Sequence, residues 1–124
     1  MNIVDSSAWL EYFAGTAYAK RFEKPVEDTL SLLVPSVVLY EVFKKVSTER
    51  DEHTALSIIA HMKLGTIVDL DLEIALRAAK LSTTLKLPMA DSIIFATAQK
   101  YDATLWTQDA DFNGLTGVKY FSKK

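Results

Sequence analysis

Four acidic residues, widely spaced along the chain, each lie beside an apolar segment typical of a strand or a buried helix. They are Asp5, Glu41, Asp91 and Asp109. No single helix explains these intervals, so only a fold that joins the segments can group the acids. Grouped carboxylates repel one another, and a hard divalent cation with oxygen ligands relieves that repulsion. Because the chain has no Cys, we expect Mg²⁺ or Mn²⁺ at such a site.

Each acid also has a local role that its position alone can explain. Asp5 can cap the following helix, an interaction worth about 1 kcal/mol, and Glu41 can form an ion pair with Lys45 one turn later. Asp91 lies in the first turn of a helix, where the macrodipole favours an acid. Asp109 lies in a turn, where Asp is common. These roles do not explain why all four acids flank one predicted sheet edge.

Hydroxyl groups and a further acid accompany these residues. We expect Ser6 and Thr107 to hydrogen-bond the carboxylates, while Asp111 lies close enough to Asp109 to share its role. Such a site suits phosphodiester hydrolysis, in which bound cations position a water and offset charge on the phosphate oxygens. Nearby lysines would then steer a polyanionic substrate.

Composition sets the class of protein. With 124 residues, 49% of them hydrophobic and 24% charged, the chain is predicted to be one domain over residues 1–124. No basic leader or long apolar run is present, so we expect a cytoplasmic protein without membrane association. A net charge of −2 argues against a protein that coats nucleic acid, but not against an enzyme that acts on it through bound cations.

Short apolar runs alternate with amphipathic segments along the chain. The predicted strands cover residues 2–4, 30–34, 66–70, 103–106 and 118–121. The predicted helices follow Asp5 and then cover residues 16–23, 36–50, 51–64, 72–87 and 89–101, with Pro25 and Pro88 as helix ends. This alternation predicts an α/β fold, a three-layer α/β/α sandwich with a central, mainly parallel sheet of four to five strands. Ligands bind such sheets beyond the carboxyl ends of the strands.

Taken in order, these motifs resemble the PIN-domain family, and specifically the VapC-type ribonuclease toxins of toxin-antitoxin pairs. The resemblance rests on Asp5-Ser6-Ser7, Glu41 in the helix opened by Pro35-Ser36, Ala90-Asp91 after Pro88, and Thr107-Gln108-Asp109-Ala110-Asp111-Phe112. It implies that Asp5, Glu41, Asp91 and Asp109 hold Mg²⁺ or Mn²⁺ in an endoribonuclease site, with Ser6 and Thr107 in support. It also implies an RNA substrate, a homodimer and a cognate antitoxin whose tail occupies the active-site groove.

Three other interpretations remain open at the level of sequence. A receiver-like signalling domain would use Asp69 as phosphoacceptor, Thr107 as switch hydroxyl and Lys119 as the phosphate-binding amine. It leaves Glu41 and Asp91 without a task. An RNA-processing PIN nuclease without an antitoxin would use all four acids. A PIN-like module without catalysis is disfavoured, because all four acids are present.

Overall fold

A parallel β-sheet forms the centre of the protein, in a computed structural model that describes residues 1–123. Lys124, the last residue of the predicted domain, lies outside the described residues. The strands within residues 1–123 are β1 (Asn2–Val4), β2 (Leu32–Pro35), β3 (Thr66–Val68), β4 (Thr104–Thr107) and β5 (Val118–Tyr120). Their order across the sheet is β3-β2-β1-β4-β5, and every neighbouring pair is parallel.

Helices flank this sheet. They are α1 (Ser6–Ala14), α2 (Glu23–Glu27), α3 (Ser36–Glu49), α4 (Glu52–Met62), α5 (Leu72–Leu85) and α6 (Met89–Lys100), with 3₁₀ turns at Ala17–Phe22, Thr29–Ser31 and Ala110–Phe112. Helix α3 packs against α4, and α5 against α6. The predicted α/β sandwich with a mainly parallel sheet is therefore confirmed. Within residues 1–123, no helix is long and apolar enough to cross a membrane.

The structure differs from the sequence prediction around Pro25. We predicted a helix over residues 16–23 ended by this proline, but Ala17–Phe22 is a 3₁₀ helix and Pro25 lies inside the first turn of α2. A proline fits there because the amides of the first helical turn have no intrahelical acceptor. The second strand also starts later than predicted, because Thr29–Ser31 forms a 3₁₀ turn before β2.

Helix α6 runs through the interior and presents its first turn to one end of the sheet. Its residues from Ser92 to Ala98 are all buried, as its nearly continuous apolar sequence predicted. Asp91 precedes this buried stretch and is only partly buried. The apolar packing of α6 therefore fixes the position of this acid.

The carboxyl ends of β1 and β4 border a crevice at one edge of the sheet. Strand β1 pairs with β2 on one side and with β4 on the other, in a register that sets Val4 opposite Trp106. The next backbone amide, that of Asp5, donates to the carbonyl of Trp106 at 3.1 Å. Strand order reverses at this point, where parallel α/β sheets bind their ligands. Backbone pairing thus positions Asp5 beside Thr107.

The 3₁₀ turn after β4 is anchored by one aromatic side chain, and its removal should destabilise the protein. Phe112 is fully buried, with its ring centroid 6.4 Å from that of Phe95 on α6. We expect Phe112→Ala to lower the free energy of unfolding by about 3–5 kcal/mol, measured by urea denaturation. The control Leu30→Ala, at a residue that is 93% exposed, should change it by no more than about 0.5 kcal/mol. Equal effects would contradict this packing.

Candidate active site

One cleft of about 510 Å³ contains all four acids singled out by the sequence. Asp5, Glu41, Asp91 and Asp109 line it together at the carboxyl ends of β1 and β4. They come from the end of β1, the interior of α3, the first turn of α6 and the turn after β4. The structure therefore brings together acids that are up to 104 residues apart in the chain (109 − 5 = 104).

Asp5 is the most buried of these acids and is held by three donors. Its carboxylate, 2% exposed, accepts from the Thr107 hydroxyl at 2.7 Å, the Ser7 hydroxyl at 2.8 Å and the Ala8 amide at 3.0 Å. The amide bond is the helix cap of α1, so the local role predicted for Asp5 coexists with its place in the cleft. These bonds leave the carboxylate little freedom to rotate.

The surroundings of Asp5 act on its charge in opposite directions. Burial raises the pKa of this carboxyl to about 6, although the bonds from Thr107, Ala8 and Ser7 favour the ionised form and lower it. Repulsion from Asp109 raises the pKa further. The ionised form of Asp5 therefore depends on these three hydrogen bonds.

Glu41 is held by a residue from another helix. The Ser6 hydroxyl donates to Glu41 Oε1 across the contact between α1 and α3, at 2.5 Å. The alternative local role of Glu41, an ion pair with Lys45, does not occur among the described residues, because Lys45 binds Glu49 instead, at 2.9 Å. Ser6 therefore supports an acid, as expected, and that acid is Glu41.

Three aspartates lie close together, and two of them, Asp91 and Asp109, line the cleft. Oxygens of Asp91, Asp109 and Asp111 lie within 4.8 Å of one another. The Asp111 amide donates to Asp109 Oδ1, and the Asp109 amide donates to the Thr107 hydroxyl, each at 2.9 Å. Since that hydroxyl donates to Asp5, Thr107 connects the turn after β4 to the first strand.

Asp91 shows the effect of this crowding most strongly. Burial first, then repulsion from Asp109 and a hydrogen-bonding contact with Asp111 that favours the protonated form, raise the pKa of Asp91 to about 7. Repulsion from Asp5 adds to the shift. Without a counterion, this carboxyl therefore keeps its proton to a much higher pH than an exposed aspartate does.

This donor set fits a hard divalent cation. Its side-chain donors are carboxylate oxygens, the ligands that Mg²⁺ and Mn²⁺ prefer. The trio Asp91, Asp109 and Asp111, with carboxylate oxygens within 4.8 Å of one another, would hold such an ion. Asp109 and Asp111 both belong to this trio.

Several residues that line the cleft were not among the predicted site residues. Tyr40 and Lys44 line the cleft beside Glu41 on α3. Tyr40 and Lys44 are four residues apart and therefore share one face of α3, and Lys44 follows Glu41 by three residues, so it is also a neighbour of that acid. Helical spacing around a predicted catalytic acid is thus a signal that could have found them.

The receiver-like alternative is wrong. Asp69 follows β3, which is an edge strand separated from β1 by β2. It is exposed and does not line the cleft that contains Asp5. The Lys119 ammonium lies over the Trp106 ring, 4.4 Å from its centroid. No shared phosphate pocket therefore joins the residues that this alternative required.

The chain belongs to the PIN-domain family. Residues 3–117 match the family described as "PIN domain", which covers nearly the whole sequence. This match confirms the resemblance inferred from the spacing of the acidic motifs. The class of protein is thus defined by the sheet, by the cleft at its strand switch point and by the family match together.

Solved structures similar to this chain include toxins and toxin-antitoxin complexes. A toxin-antitoxin complex from Klebsiella pneumoniae contains a chain that is 24% identical, with 98% of this chain and 99% of that chain covered and a TM-score of 0.83. VapC20 of Mycobacterium tuberculosis, described as a sarcin-ricin loop cleaving toxin, is 19% identical over 94% and 95%, with a TM-score of 0.77. DNA-bound VapBC from Salmonella typhimurium is 14% identical over 98% of each chain, with a TM-score of 0.74. No curated protein sequence matches this chain.

Neutralising Asp91 should stabilise the metal-free protein at alkaline pH. Its pKa lies near 7 in the folded state against an ordinary 3.8, so the unfolded chain releases this proton first and folding stability falls as pH rises from 4 to 7. In a chelator at pH 8, Asp91→Asn should therefore melt at a higher temperature than the wild type. The gain should shrink as pH falls from 7 towards 4. Asp69→Asn, an exposed control, should change neither the melting temperature at pH 8 nor its dependence on pH. A lower melting temperature for Asp91→Asn than for the wild type at pH 8 would contradict this explanation.

Removing the Thr107 hydroxyl should raise the pKa of Asp5 above its present value of about 6, because that hydroxyl stabilises the ionised carboxylate. The test is a carbon-13 NMR titration of Asp5 in Thr107→Val, with a chelator present. Thr107→Ser keeps the donor and should leave the titration near that of the wild type. Thr97→Val removes a buried hydroxyl that donates to Ile93 within α6, and it should not move Asp5. An unchanged midpoint in Thr107→Val would refute this role.

Proposed function

We propose that this protein is a metal-dependent endoribonuclease that hydrolyses RNA phosphodiester bonds and acts as the toxin of a toxin-antitoxin pair. The observation that carries the proposal is the convergence of Asp5, Glu41, Asp91 and Asp109 in one cleft of a PIN-domain chain. The cleaving activity of the similar toxin VapC20 supports the ribonuclease assignment. These four acids are the proposed catalytic residues, with Ser6, Thr107 and Asp111 in support.

The metal would be held mainly by the crowded aspartates. Asp91, Asp109 and Asp111 have the closest oxygens, while Asp5 and Glu41 border the same cleft. When bound, Mg²⁺ or Mn²⁺ supplies charge neutralisation at the scissile phosphate and makes water easier to deprotonate. Because Asp91 has a pKa near 7, loading of the site is coupled to loss of its proton.

Asp5 and Glu41 would position the attacking water, and Glu41 would accept its proton. Asp5 is immobilised by Thr107, Ser7 and Ala8, so it keeps a fixed orientation toward the cleft. Ser6 occupies one oxygen of Glu41, Oε1, which leaves Oε2 to orient the attacking water and take its proton. General-base catalysis by such a carboxylate contributes about 10²- to 10⁴-fold.

The proposed partners are RNA, a cognate antitoxin protein and a second copy of the chain. The complexes from Klebsiella pneumoniae and Salmonella typhimurium support an antitoxin partner, since both are assemblies of a toxin with its antitoxin. The homodimer and a cytoplasmic location are proposed from the resemblance to VapC-type toxins. An RNA-processing nuclease without an antitoxin would use the same cleft, and only its partners would differ.

RNA cleavage by the purified protein tests the proposed activity. We expect Mg²⁺ or Mn²⁺ to support cleavage of total cellular RNA and a chelator to abolish it, with sequencing of the new ends to map the target. Asp5→Asn should slow cleavage by about 100-fold or more, because it changes a residue of the proposed site. Asp69→Asn is the matched control, an exposed acid outside the cleft, and should cleave as the wild type does.

Two outcomes would contradict the proposal. Equal cleavage by the wild type and Asp5→Asn would identify a contaminating nuclease, and metal-independent cleavage would refute the role of the acids. The toxin role is tested by brief expression in cells with and without the protein encoded beside it. Growth arrest that the neighbouring protein does not relieve would favour an RNA-processing enzyme.

A further inference from the structure

An exposed aromatic ring lies at the rim of the acidic cleft. Tyr40 immediately precedes Glu41 on α3, lines the same cleft as Asp5 and Asp91, and is 62% exposed. Its ring therefore offers a face to any molecule that reaches the acids. A planar, apolar surface beside a phosphodiester site is what an unpaired nucleobase can stack on.

A lysine without a partner acid lies beside this ring. Lys44 follows Tyr40 by one helical turn, and its ammonium is 5.7 Å from the centre of the Tyr40 ring. Within residues 1–123, Lys44 takes part in no salt bridge. Lys44 and Lys45 are the basic residues that line the cleft, and Lys45 is engaged with Glu49. Of these two lysines, Lys44 is therefore the one available to bind a phosphate.

We propose that Tyr40 and Lys44 form a nucleotide subsite, in which Tyr40 stacks one unpaired base next to the scissile bond and Lys44 contacts a neighbouring phosphate. The proposal rests on the ribonuclease function proposed above and deepens it by naming two residues that bind the RNA beside the acids. In a duplex each base is stacked between its neighbours and must leave the stack at a cost in free energy before a side chain can receive it, whereas single-stranded RNA or a loop offers it at a lower cost. The favoured substrate is therefore RNA that is unpaired at the cleavage site.

Charge favours a nucleotide over a protein segment at this position. Lys44 neutralises one phosphate without help from another residue, while the acids a short distance away require cations rather than a further anion. The aromatic face of Tyr40 and the ammonium of Lys44 lie one turn apart on one helix. They can therefore contact a base and a phosphate that are joined in the same nucleic-acid chain. A contact with a second protein copy would not explain why an exposed aromatic ring lies beside a lysine that has no acidic partner within residues 1–123.

Abasic substitution in the RNA tests the stacking directly. Each nucleotide around the mapped cleavage site is replaced in turn by an abasic one, and kcat/KM is measured with each protein. At one position we expect the wild type to lose about 5- to 100-fold. Tyr40→Ala should show a loss of that size on intact RNA and no further loss from the abasic nucleotide, whereas Tyr40→Phe should stay within about twofold of the wild type because it keeps the stacking face.

A matched control comes from a similar pair elsewhere in the chain. Tyr101 is 41% exposed, and the Lys100 ammonium is 5.5 Å from the centre of its ring, yet neither residue lines the cleft. Tyr101→Ala should therefore leave kcat/KM and the abasic profile unchanged. Equal sensitivity of Tyr40→Ala and the wild type to every abasic position would overturn the subsite while leaving the nuclease function intact.

A binding experiment separates the subsite from catalysis. The probe is a single-stranded oligoadenylate with one 2-aminopurine, added in Mg²⁺ to the Asp5→Asn protein, and we expect its fluorescence to be quenched only when Tyr40 is present. Lys44→Gln should reduce the slope of log Kd against log salt by about 0.7, the value for one phosphate of a single strand. Lys63→Gln, a control at an exposed lysine outside the cleft, should not.

The outcomes of the two experiments are distinguishable. Quenching of the probe by Asp5→Asn that depends on Tyr40, together with no RNA cleavage by the wild type, would support the subsite and refute the nuclease function. Absence of binding to the oligoadenylate, or binding that does not depend on Tyr40 and Lys44, would overturn the subsite. A change of sedimentation in Tyr40→Ala without any effect on RNA would overturn it as well, and would assign Tyr40 to a contact between protein copies.

Discussion

Repulsion among carboxylates is the interaction around which this structure is arranged. Asp91, Asp109 and Asp111 bring oxygens within 4.8 Å of one another, so folding without a counterion forces negative charges together. The loss of water around the carboxyl first, and then that repulsion, raise the pKa of Asp91 to about 7. A divalent cation reverses the sign of the effect, because charges that oppose folding become ligands. Stability and ion binding are therefore coupled through the same atoms.

The backbone of the sheet holds this unfavourable arrangement in place. Val4 pairs with Trp106, and the amide of Asp5 continues that pairing with a hydrogen bond to Trp106. Thr107 then joins the two chain segments again, as donor to Asp5 and acceptor from Asp109. Since strand order reverses between β1 and β4, no crossover covers their carboxyl ends. The cleft thus follows from topology, and the acids follow from the strand and helix ends that surround it.

The sequence predicted what depends on local pattern and missed what depends on contacts between distant residues. The alternating apolar runs predicted the strands, and the buried helix that carries Asp91 followed from its apolar composition. The partner of Glu41 could not be found in this way, because the periodicity favours Lys45 one turn later, whereas the donor is Ser6, 35 residues earlier. The position of Pro25 was predicted wrongly because a proline can mark the end of one helix or occupy the first turn of the next one equally well. Tertiary packing, and not the local sequence, decides the partner of Glu41 and the place of Pro25 in a helix.

Electrostatics also explains how an acidic protein can act on RNA. The net charge of −2 opposes a polyanion only weakly, since charges beyond about 8 Å are screened at physiological salt. What decides binding is the charge within that distance of the phosphate, and there the acids require a cation while Lys44 lacks an acidic partner among the described residues. In the proposed function, helix α3 would carry Glu41 for the reaction and Tyr40 with Lys44 for substrate binding. A change in the packing of α3 would then alter both catalysis and substrate binding.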